Sequence, residues 1–118
     1  MIDTNLLAHF EFPSEIVVLL ADSRGDAVRL SDVKVQAKRG FVMKEVWTDA
    51  EGAARISKDH SKRSQMEWAS WSIMDHPGDY SLVRFVTLWV EGPRSFGPEQ
   101  LDLENAGPKP TVWLSEKS

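Results

Sequence analysis

The densest run of chemistry-capable side chains is Asp75-His76-Pro77-Gly78-Asp79-Tyr80. An imidazole flanked by two carboxylates can orient a general base or take part in a divalent cation site. Metal centres draw their ligands from separated elements, and one His with neighbouring Asp residues is a thin ligand set. The simpler reading is a polar turn, with Asp75 capping backbone amides and Pro77-Gly78 setting the bend. His9 and His60 are far away in sequence, and no Gly-x-Ser-x-Gly elbow accompanies the Ser, His and Asp present. No catalytic residue, metal ligand or cofactor is therefore assigned; a His76-dependent hydrolase using Asp75 or Asp79 is the least favoured reading. No phosphate-cradling glycine loop or dinucleotide fingerprint occurs. Arg24-Gly25-Asp26 reads as a charged turn.

Five tryptophans stand at 47, 68, 71, 89 and 113. An exposed Trp on a sheet face anchors a protein partner or stacks on a sugar ring, whereas a buried one fills a core. Trp89 lies in the most apolar run, Leu82 to Val90, and is expected in the core. Trp68 and Trp71 have opposite parity across Ala69-Ser70, so one of them is expected to point outward. The candidate binding residues are accordingly Trp68, Trp71, Asp75, His76 and Asp79.

The elements that must position these residues are strands. Ile16 to Leu20 is a buried run closed by Asp22-Ser23-Arg24-Gly25, and Val33 to Lys38 alternates with period two. Asp49-Ala50-Glu51-Gly52 has type I turn chemistry, and is read as a hairpin or tight corner. Gln65 to Ile73 and Leu82 to Val90 are further strands, the latter central in its sheet. Residues 92–110 hold three of seven glycines and four of six prolines, and are expected to form a long irregular connection. Thr111 to Leu114 is a short last strand. Short helices are allowed at Asp3 to Phe12, within a 1–14 extension, and around 99–105. The whole reads as all-β, a single antiparallel β-sandwich of about seven strands spanning 1–118.

Two features of this order resemble the transthyretin-like, carboxypeptidase-regulatory-like group of β-sandwich domains. A D-x-x-G turn at Asp22 to Gly25 leads to a V-x-V strand, Val33-Lys34-Val35. A T-D-x-x-G turn at Thr48 to Gly52 leads to a small-residue strand, Ala53-Ala54-Arg55-Ile56. The match covers residues 15–57 and implies a Greek-key, prealbumin-like sandwich. Hydroxyisourate hydrolases share the two turns but end in Tyr-Arg-Gly-Ser, which this chain lacks. Intradiol dioxygenases need two Tyr on iron, and Tyr80 is the sole tyrosine. What the resemblance implies is an accessory, scaffolding or recognition module.

Composition narrows the partner. The 118 residues include no Cys, 14 basic and 18 acidic side chains, and 42% hydrophobic residues. A chain of this size buries roughly two-thirds of its unfolded surface without disulfide staples. No thiolate site is possible, and no apolar run approaches a membrane span. Residues 24–63 carry ten bases against six acids. No helix-turn-helix or aromatic RNP pattern accompanies them, so nucleic acid is not the expected partner. The start, Met1-Ile2-Asp3-Thr4-Asn5, has no basic and apolar leader pattern, so if Met1 is the native start the expected compartment is cytoplasmic. The expected function is non-enzymatic binding of a protein partner, or homo-oligomer formation, through a sheet edge or Trp-bearing face. The alternative is carbohydrate or small-ligand binding by exposed Trp.

Overall fold

The computed structural model of the chain describes residues 13–57, 63–67 and 84–117. Nine strands are found there: β1 (Glu15–Ala21), β2 (Ala27–Val28), β3 (Lys34–Arg39), β4 (Val42–Trp47), β5 (Ala53–Ser57), β6 (Gln65–Glu67), β7 (Phe85–Val90), β8 (Phe96–Asp102) and β9 (Thr111–Ser115). They form two sheets packed face to face, the β-sandwich that strand spacing predicted.

In sheet A, β1 is central. Its one edge pairs with β5 and then, where β5 ends, with β2; its other edge pairs with β9; β6 extends the sheet beyond β5. Sheet B has the order β4-β3-β7-β8. Most pairings are antiparallel, but β1–β9 and β5–β6 are parallel. Alternation fixes which face of each strand lies inside, but not the direction of its neighbour, so the sequence could not distinguish these two pairings. The strands that the sequence did not show are the two-residue β2 and the seven-residue β8.

The core lies between the sheets. Ile16, Val18 and Leu20 of β1, Ala54 and Ile56 of β5, and Val112 and Leu114 of β9 face Val35, Ala37, Val46, Val86, Leu88 and Val90 of sheet B. Phe96 and Leu103, at the two ends of β8, also belong to this layer. Arg39 is also on the inner parity of β3 and is buried.

Hairpin β3–β4 turns on Gly40-Phe41, with Arg39 opposite Val42 and Gly40 at φ 61°. A glycine with positive φ at the first of two loop positions is what a II′ turn needs. The two Asp-x-x-Gly turns share one hydrogen-bond scheme. Asp22 Oδ1 accepts from the amides of Arg24 and Asp26, both at 2.9 Å, while Gly25 N–H donates to the Asp22 carbonyl. Asp49 Oδ1 accepts from Glu51 (2.9 Å) and Ala53 (3.0 Å), and Gly52 N–H donates to the Asp49 carbonyl. The first turn joins β1 to β2 within sheet A. The second carries the chain from β4 in sheet B to β5 in sheet A, and is therefore a corner.

Residues 92–110 differ from expectation. Instead of one irregular connection they contain β8, and 99–102, within the stretch around 99–105 where a short helix was allowed, are extended. Glycine and proline mark breaks in a central strand, but an edge strand needs hydrogen bonds on one side only and tolerates proline at a bulge. Phe96 and Leu103 supply the apolar anchors at either end of this segment. The possible N-terminal helix, within residues 1–12, lies outside the described residues.

Candidate functional site

Trp68, Trp71, Asp75, His76 and Asp79 all lie outside the described residues, so the Asp-His turn and the paired indoles are not placed. Among the described residues no helix is long and apolar enough to cross a membrane, and no three His, Asp or Glu side chains converge as a metal site.

The structure does place three other tryptophans, and none is in the core. Trp89 corrects the sequence reading: the buried parity of β7 is Val86, Leu88 and Val90, whereas Phe85, Thr87 and Trp89 face outward and are half-buried. Large apolar residues on both parities hid this, and Thr87 was the tell. Trp47 lies on the outer face of sheet B, with the Arg63 guanidinium 4.3 Å over its ring. Trp113 lies on the outer face of sheet A and is 46% exposed. Its strand reads Thr-Val-Trp-Leu-Ser with burial alternating perfectly, a pattern that could have revealed it. Beside it a cavity of about 210 Å³ is lined by Leu19, Val28, Arg29 and Gly52, among others.

The larger cavity, about 420 Å³, opens beside Trp89. It lies beside a β-bulge. Leu88 pairs with Glu99 and Val90 with Phe96, so Trp89 stands opposite two residues, Gly97 and Pro98. Gly97 has φ 78°, and a Cβ there would lie 2.9 Å from the Leu88 carbonyl oxygen. A side chain at 97 would also meet Leu114 of the core, so this position of the bulge accepts only glycine. The polar lining of the cavity is Lys38, Thr87, Glu91, Ser95 and Lys117, with Pro98 as a second apolar wall. The indole Nε1–H donates to Glu91 Oε1 at 2.9 Å, which fixes the ring. Arg94 forks onto Glu116 at 2.7 and 2.8 Å, and Lys117 N–H donates to the Ser95 carbonyl, fastening the rim. The Arg94 hydrogen bonds hold the Glu116 carboxyl below its ordinary pKa. Lys38 and Lys117 form no ion pair among the described residues.

A second feature is the outer edge of sheet B. Phe41 is 74% and Met43 51% exposed. In β4 the even-numbered peptide groups face β3, as Thr48 N–H to the Val33 carbonyl illustrates, and odd-numbered ones face away. Trp47 N–H uses this outward direction to reach the Arg63 carbonyl at 3.2 Å. The outward amides of Met43 and Glu45 have no partner among the described residues.

Comparison with family models, with curated proteins and with solved structures finds no match.

Proposed function

We infer that the protein is a non-enzymatic interaction module that pairs with a second copy of itself through the half of the β4 edge that has no partner among the described residues. The observation that carries this reading is the coincidence, at Met43, of outward-facing peptide groups and the exposed apolar side chains of Met43 and Phe41. An exposed edge strand templates pairing with another chain. Parts of two edges are already engaged: the start of β8 meets the end of β9 through the Phe96–Glu116 bridge, and the far end of β4 is joined to Arg63. A two-fold antiparallel pairing must set odd residues opposite odd ones. Centring it on Lys44 or Glu45 would place like charges together, which is unfavourable. Centring it on Met43 sets Met43 against its counterpart and avoids both. Membership of the transthyretin-like group is proposed on the same footing, supported by the two identically bonded Asp-x-x-Gly turns.

Light scattering across a concentration series tests the edge. The wild-type mass is expected to rise toward that of a dimer. Met43→Lys, and Met43→Pro, which removes an outward N–H without touching the β3 ladder, are expected to stay monomeric. A wild type that is monomeric throughout, or variants that dimerise equally, overturns the assignment.

A further inference from the structure

We propose that the notch beside Trp89 binds an acidic carbohydrate, a uronic-acid-type sugar whose ring lies on the indole and whose carboxylate meets Lys38 and Lys117. The volume, about 420 Å³, falls in the range of small-ligand sites, roughly 300–1,000 Å³. The apolar walls are an indole and a pyrrolidine, Trp89 and Pro98, flat surfaces suited to the C–H face of a pyranose. The polar groups then decide the class. Two ammonium groups without ion-pair partners among the described residues call for a negative charge on the ligand. Glu91 stands in the same lining, and one of its oxygens already accepts the indole N–H. A carboxylate there repels a purely anionic ligand but accepts hydrogen bonds from hydroxyls. Ser95 Oγ donates to the Gly92 carbonyl at 3.2 Å, so its lone pairs are left to accept hydroxyl protons as well. A ligand must therefore carry several O–H donors and an acid together, which a sugar acid does and an acidic peptide does not. The scaffold is prepared before binding: the bulge brings Pro98 into the wall, Glu91 holds the ring, and the Lys117–Ser95 backbone bond holds the second lysine at the rim.

The test follows the Trp89 indole N–H in proton–nitrogen spectra of the full chain, its signal identified by loss in Trp89→Phe. Digalacturonic acid is expected to shift it saturably, with a dissociation constant on the order of a millimolar, while glucose and free glutamate do not. Lys38→Gln and Lys117→Gln, both at exposed positions, are each expected to weaken binding roughly threefold. No saturable shift overturns the proposal; so does an equal response to glucose, an equal response to glutamate, or affinity unchanged in both lysine variants. None of these probes reads the β4 edge, so the self-association reading stands or falls separately.

Discussion

At Asp22 and at Asp49 one carboxylate oxygen gathers two amides and a glycine closes the turn, yet the two glycines are under different demands. Gly25 has φ 92° and open space where a Cβ would stand. Gly52 has φ 81°, and a Cβ there would come within 2.9 Å of the Arg29 Cα and 3.1 Å of the Val28 carbonyl oxygen. Gly25→Ala should therefore cost only the left-handed backbone penalty, about 1 kcal/mol. Gly52→Ala meets backbone as well and should cost roughly 2–4 kcal/mol. Urea denaturation of the two variants measures the difference; equal costs would mean that the β2 to β3 connection yields freely. The aspartates differ too. Burial pushes the Asp49 carboxyl up, but the Ala53 amide, the Arg55 guanidinium 2.6 Å away and the Glu51 amide outweigh it and hold the pKa below the ordinary value.

Between elements, Thr48 shows how one side chain organises a connection. It is buried at the end of β4, donates to the Leu30 carbonyl, and accepts the Val33 amide at 2.9 Å. Thr48→Val keeps the shape but strands both backbone groups, and should cost about 1–3 kcal/mol in denaturant unfolding. A cost near zero would show that water replaces the hydroxyl. The Thr-Asp-x-x-Gly motif was legible in the sequence because its chemistry is local: a carboxylate, a hydroxyl and a glycine within five residues. Strand β3 was legible because polar and apolar residues alternate along it, and β1 because its short apolar run is closed by turn residues. What escaped was set by partners distant in sequence. The parallel pairing of β9 with β1 leaves no mark in either segment. Strand β8 is stabilised by β7 and by Phe96 and Leu103 at its two ends, while its own Gly-Pro reads as a break. The notch at Trp89 sets a bulge on one strand beside an indole on the next, a relation that no single stretch displays.

Across the whole molecule, charged groups fasten the margins of a sandwich whose centre is apolar. Arg84 forks onto Asp102 at 2.8 and 2.6 Å, joining the start of β7 to the end of β8, and Asn105 adds a third bond. Arg94 and Glu116 tie the β7–β8 turn to the residue after β9. Arg55 meets Asp49 and Glu15 on the outer face of sheet A. The Arg84 hydrogen bonds hold the Asp102 carboxyl far below the usual carboxylate range, and Glu116 and Asp49 are lowered as well. In the unfolded chain these groups titrate near about 4. Each folded-state value is the lower one, so the unfolded state takes up protons first as the pH falls. The stabilisation from these carboxylates is thus complete above about pH 5 and drains away below about pH 4, as the folded-state values are approached. The urea midpoint should be nearly level from neutrality down to that point and then fall. Asp102→Asn should lower the plateau and flatten the descent, because the replaced group no longer titrates, and added salt should blunt the wild-type slope. A midpoint that stays level well into the acid range would show that these margins contribute nothing, and that the apolar layer between the sheets holds the fold alone.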